Sequence, residues 1–105
     1  MPSTKLPVVY IMASRRNGTL YVGTTSKLVS RVWQHRNDVL DGFVRQYRIH
    51  KLVYYEAHRH MPAALVREKQ IKEWKRAWKV ALIERDNPGW VDLYEEVLRR
   101  GGTEY

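Results

Sequence analysis

The chain has no cysteine. That excludes a disulfide scaffold, a Cys-ligated zinc site, an iron–sulfur cluster and thiol catalysis. No apolar run approaches the ~18 residues of a membrane span, and Met1 to Pro7 lacks the basic-then-apolar order of a signal peptide. Internal repeats, low-complexity segments and composition breaks are also missing, as are a Gly-rich phosphate loop, a Rossmann fingerprint and a Ser nucleophile elbow. Acidic residues are scarce: 11 Asp and Glu face 19 Lys and Arg, a net charge of +8. What remains is an expected small soluble cytoplasmic domain spanning 1–105, with a polyanionic partner. Its 44% hydrophobic residues, four Trp and seven Tyr supply the apolar surface that a disordered chain lacks.

Val8 to Ala13 is a short apolar run with β-branched and aromatic character, which predicts a buried strand. Ser14 to Gly18 follows, and its Asn17-Gly18 pair readily takes the positive φ of a hairpin turn. Thr19 to Thr24 returns as a second strand, and Lys51 to Ala57 reads as a third. Ser26 is a plausible N-cap for a helix to about Arg36, and residues 37–50 read as a loop with a short helical turn. Pro62 opens the longest helical pattern, Ala63 to about Trp78, followed by a short helix over 79–85. Asn87-Pro88 is expected to start a last helix to about Arg99, ended by Gly101-Gly102. The fold class is therefore mixed α/β, a small sheet with helices packed against it.

On the long helix, Ala64, Leu65, Ile71, Trp74 and Trp78 share one face, and Glu68 falls inside it. A carboxylate there needs solvent, a cationic side chain or a bound cation such as Mg²⁺. The same helix carries Arg67, Lys69, Lys72, Lys75, Arg76 and Lys79, either a solvated face or a track for phosphates. Arg31 and His35, four apart, project from one side of the first helix near the strand bearing Tyr21. Phenol, guanidinium and imidazole together suit phosphodiester chemistry, though each is also an ordinary surface group. His58 and His60 lack a third ligand and read as a solvated loop.

Val8-Val9-Tyr10, a hairpin, and then Tyr21-Val22-Gly23 resemble the paired strand motif of the GIY-YIG (URI-domain) nuclease superfamily. Arg31 with His35 one turn later, Glu68 on the next long helix, and Asn87 in an Asn-Pro-Gly-Trp segment extend the resemblance over about residues 7–95. Its texture is similar to the small stand-alone bacterial branch. The resemblance implies a three-stranded antiparallel sheet flanked by helices and a metal-dependent endonuclease. Mg²⁺, with Mn²⁺ as a substitute, would be held by Glu68. Tyr10 or Tyr21 would help activate water, with His35 moving or orienting the proton. Arg31 would stabilise the pentavalent phosphate, and Asn87 would support the site. Val8 stands where the family has Gly, and Thr24-Thr25 stands where some members have an assisting Lys.

With no room for a recognition domain, the expected substrate is single-stranded or branched DNA, in repair or recombination, with any targeting left to a protein partner. One rival is a non-catalytic nucleic-acid-binding module of the same fold. The other is a partner-binding subunit using Trp74, Trp78 and Trp90.

Overall fold

Residues 6–40 and 42–100 are described by a computed structural model. The elements run β1 (Val8–Ala13), β2 (Leu20–Thr25), α1 (Leu28–Arg36), α2 (Phe43–Gln46), β3 (Lys51–Ala57), α3 (Met61–Glu73), α4 (Arg76–Asp86) and α5 (Tyr94–Arg99). The sheet order is β2-β1-β3, and both pairings are antiparallel. This is the α+β arrangement that the resemblance implied. None of the described helices is long and apolar enough to cross a membrane.

β1 lies in the middle and is buried along its whole length, which explains why it reads as a continuous apolar run rather than an alternating one. Strand periodicity sends its odd positions to one face and its even positions to the other. Val9, Ile11 and Ala13 join Ala64 and Ile71 of α3, Leu82 and Ile83 of α4, and Trp90. Val8, Tyr10 and Met12 join Leu28 and Val32 of α1, Val44 of α2 and Val97 of α5. Each large apolar side chain buried in these layers contributes roughly 1.5–3 kcal/mol. The sheet thus separates two helical layers, and the strand carrying Tyr10 contributes to both.

The hairpin forms as expected, but only Asn17 of the turn pair has positive φ (57°). Gly18 is needed for space instead, because a Cβ there would sit 2.3 Å from Ser14 Oγ. The Ser14 hydroxyl accepts the Thr19 amide hydrogen, which closes the loop. Ser26 does not cap α1: Lys27 stands at its N-cap, and Thr25 Oγ1 accepts the Lys27 N–H.

Two helix boundaries differ from the sequence pattern. The long helix stops at Glu73, because Trp74 and Lys75 are extended (ψ 152° and 150°) before α4 begins. The break lets the partly buried Trp74 pack on the core while α4 restarts in a direction that buries Leu82 and Ile83. Neither Gly nor Pro marks the break, so the periodicity ran through it. Leu65 is exposed rather than inward, because the buried face of α3 is the narrower one carrying Ala64 and Ile71.

Asn87 does not start a helix but ends one, as the C-cap of α4. The following turn places Trp90 in the left-handed region (φ 55°), fully buried, with its indole N–H donated to Glu84. α5 begins only at Tyr94, where Asp92 accepts the Tyr94 amide hydrogen. Gly101-Gly102 and most of the Met1 to Pro7 segment lie outside the described residues.

Candidate active site

The register pairs Tyr10 with Gly23 and Met12 with Tyr21, which puts Tyr10, Tyr21 and Gly23 on the sheet face covered by α1. The Tyr10 ring lies across Gly23. A Cβ at Gly23 would meet Tyr10 Oη at 2.7 Å and Tyr21 Cε1 at 2.9 Å. Here glycine is required by close approach rather than by backbone conformation. Tyr10 is sealed from solvent at 1% exposure, whereas Tyr21 is half-buried.

α1 brings His35 onto this pair. Its Nε2 lies 3.1 Å from the Tyr10 hydroxyl, and its ring centroid lies 5.2 Å from that of Tyr21. His35 is completely buried and its Nδ1 has no hydrogen-bond partner. Burial first, then the positive charge of Arg31, pulls the His35 pKa down to about 4, so the imidazole is neutral at neutral pH. Burial likewise pushes the Tyr10 phenol far above its ordinary range, and the neighbouring Tyr21 and Glu68 add to this while Arg31 opposes it. Tyr10 therefore stays protonated. Arg31, one turn before His35, is half-buried, and its charge is felt at both groups.

Glu68 arrives from the opposite helical layer. Thr24 pairs with Val9 and so points to the α3 side of edge strand β2, where its hydroxyl donates to Glu68 Oε1 at 2.5 Å. Lys72, one turn along α3, holds the other oxygen at 2.5 Å. Burial raises the Glu68 pKa, but the hydrogen bonds from Lys72 and Thr24 outweigh it and leave the carboxyl below its usual range. Tyr10, Tyr21, Arg31 and His35 thus gather on one face, and Glu68 reaches strand β2 from the other, close enough for its charge to act on Tyr10.

Thr24 was legible only as the residue standing where some relatives carry Lys, because its bond to Glu68 depends on strand register. The Lys72–Glu68 pair follows from i,i+4 spacing on a helix.

The other residues singled out in the sequence lie elsewhere. Arg67 is not free for phosphate: it forks onto Glu56, with Nε 3.0 Å from Oε2 and Nη2 3.2 Å from Oε1, and stacks over Trp74. Lys69 on α3, Lys75 in the break and Arg76 on α4 are exposed, and Lys79 is half-buried. Asn87 is scaffolding: its amide donates to the carbonyls of Val53 and Val91, and its oxygen accepts the Val91 N–H. It fastens β3 to the turn after α4 and has little hydrogen-bonding capacity left for a substrate. His58 bonds Glu56, and no group of three or more potential metal-ligating side chains gathers among the described residues. Trp90 is core and Trp74 is partly buried, so of the three tryptophans expected at an interface only Trp78 is largely exposed.

The fold is a small antiparallel sheet with two tyrosines on its strands, flanked by helices that bring a neutral histidine, an arginine and a carboxylate toward them. The model of the GIY-YIG catalytic domain matches residues 6–81, well over half of the chain, and the chain belongs to the GIY-YIG nuclease superfamily. The match runs from β1 into α4 and ends before Asn87. Membership implies a nuclease-type function, and nucleases of this kind generally depend on a divalent metal. No curated protein and no solved structure matches the chain significantly.

Proposed function

We propose that the chain is a metal-dependent endonuclease that hydrolyses DNA phosphodiester bonds in repair or recombination, selecting single-stranded or branched DNA by structure rather than sequence. The observation that supports this reading best is the gathering of Tyr10, Tyr21, Arg31 and His35 on one face, with Glu68 reaching strand β2 from the other.

The residues fit a metal. Glu68 already attracts a cation, the Lys72 ammonium, at Oε2. A site with one protein carboxylate suits Mg²⁺, which keeps several waters and takes further oxygens from substrate phosphate. Glu68 would hold the ion, which when bound supplies charge stabilisation at the phosphate and the leaving 3′ oxygen. Mn²⁺ would serve in its place.

The remaining work falls to the chain's own side chains. Arg31 forks onto non-bridging phosphate oxygens and compensates the charge that builds on the pentavalent phosphorus. Tyr21, the half-exposed phenol, orients the attacking water. Tyr10 is a positioning residue: buried and protonated, it holds the Tyr21 side of the cluster in place through Gly23 and His35. His35, neutral at neutral pH, faces the Tyr10 hydroxyl through Nε2 and so fixes the orientation of the tyrosine pair, while the proton of the attacking water leaves to solvent past the half-exposed Tyr21.

Purified chain with Mg²⁺ or Mn²⁺ on single-stranded, duplex and branched DNA, beside Glu68→Ala, tests this reading. Nicking that disappears in the variant is the expected result. Equal nicking by both proteins overturns the assignment. Salt-sensitive binding without cleavage in any metal makes the chain a binding module instead.

A further inference from the structure

A cleft of about 480 Å³ opens between the β1–β2 loop and the start of α4, lined by Arg15, Asn17, Gly18, Thr19, Leu20, Arg76 and Lys79. Three of these side chains are cationic and none is acidic. Arg76 donates to the Gly18 carbonyl at 2.6 Å, which docks the loop on α4 but leaves the guanidinium charge uncompensated. Arg15 and Lys79 pair with no carboxylate among the described residues. Much of the basic flank of α3 differs: Arg67 is neutralised by Glu56 and Lys72 by Glu68. Uncompensated positive charge in a concave setting therefore collects at the hairpin loop. Asn17 and Thr19 add polar side chains to the same lining.

We propose that this cleft is a phosphate subsite for the nucleic-acid strand that is cut, separate from the site of cleavage. The inference rests on the nuclease reading for the identity of its ligand. The two places lie at opposite ends of β2, with Thr24 beside Glu68 at one end and Thr19 and Leu20 in the cleft wall at the other. Five strand residues at ~3.3 Å each give about 16 Å, or about five nucleotides along a B-form strand at ~3.4 Å per phosphate. The cleft contacts the backbone and not a base edge, so it adds affinity without sequence preference.

The test is equilibrium binding of the full chain to labelled single-stranded DNA in EDTA, over a salt series, for wild type, Arg15→Ala, Lys79→Ala and the double variant. Arg99→Ala on α5 serves as the charge control. Each cleft substitution is expected to lower the salt slope by roughly 0.7–0.9, equally for unrelated sequences, with Arg99→Ala unchanged. Thermal melting checks that the variants fold. Since neither side chain has a hydrogen-bonded partner among the described residues, their Tm should match wild type.

Identical slopes for wild type and double variant, or no DNA binding at all, would overturn the proposal. So would protection by inorganic phosphate with no change in DNA slope, which marks a small-anion site. The two readings fail separately. Glu68-dependent cleavage with unchanged slopes removes the cleft alone, whereas cleft-dependent slopes without cleavage remove the nuclease reading alone.

Discussion

Glu56 and Glu68 are equally shielded, with 19% and 17% of their side-chain surfaces exposed, yet they keep different company. Glu56 at the end of β3 is saturated. Arg67 forks onto it, His58 bonds it at 2.6 Å, and the Tyr54 hydroxyl donates to it. Glu68 has the Thr24 hydroxyl and one lysine whose side chain is half exposed (51%). The first carboxylate is a knot between β3 and α3. The second is held in place with a partner that can be displaced at low cost, because an exposed lysine on a helix contributes only ~0.3–0.5 kcal/mol. Among partly buried acids, availability to a cation is set by how the neighbours are fastened and not by burial.

The largest way to break this comparison is Glu68→Gln against Glu56→Gln. The first should lower cleavage about 10³-fold, about 4 kcal/mol, with little change in thermal stability. The second should cost about 1–3 kcal/mol of stability by stranding Arg67, and leave cleavage per folded molecule intact. Chemical denaturation and initial rates on one substrate separate the two outcomes.

His35 sharpens the contrast, because it is more deeply buried than either acid and has one hydrogen-bond partner. Its folded pKa of about 4 lies below the ordinary value of 6.5. The unfolded chain therefore binds its proton first as pH falls. Stability due to this group is constant above about pH 6.5, declines toward pH 4, and has then lost on the order of 3 kcal/mol. Denaturant midpoints over that range should fall more steeply for wild type than for His35→Gln. Equal slopes would mean that the imidazole is solvated.

Gly23→Ala tests the tyrosine side. Its Cβ must displace Tyr10 or Tyr21, so activity should fall and stability drop by about 1–3 kcal/mol. An alanine variant with wild-type rates would show that the ring over Gly23 is not needed where it lies. The smallest effect is expected from Lys72→Met. Freed of its ammonium, Glu68 should reach half-maximal Mg²⁺ activation at a severalfold lower concentration, with stability changed by no more than ~0.5 kcal/mol. A higher Mg²⁺ requirement would instead make Lys72 part of the metal environment.

The strands, the hairpin and the convergence of Tyr10, Tyr21, Arg31, His35 and Glu68 were legible because they depend on short-range alternation, helical spacing and a motif. What escaped depends on contacts between distant elements. Trp74 breaks α3 without Gly or Pro because its ring seats in the core and under Arg67. Asn87 before Pro88 looks like an N-cap, but its amide is taken by Val53 and Val91, so it closes α4 and delays the last helix to Tyr94. Arg67 read as one cation in a basic row because its partner Glu56 lies on another element.

The central position of β1 has a dynamic consequence. A strand paired on both edges and buried on both faces opens only with the global unfolding of the fold, whereas an edge strand can fray in local fluctuations of much lower free energy. Amide exchange is therefore expected to be slowest at Tyr10 and faster at Tyr21 and Thr24 on the edge strand. The phenol that positions is thus anchored for as long as the protein is folded, whereas Tyr21, which meets solvent, and Thr24, which meets the carboxylate, sit where local opening comes easily.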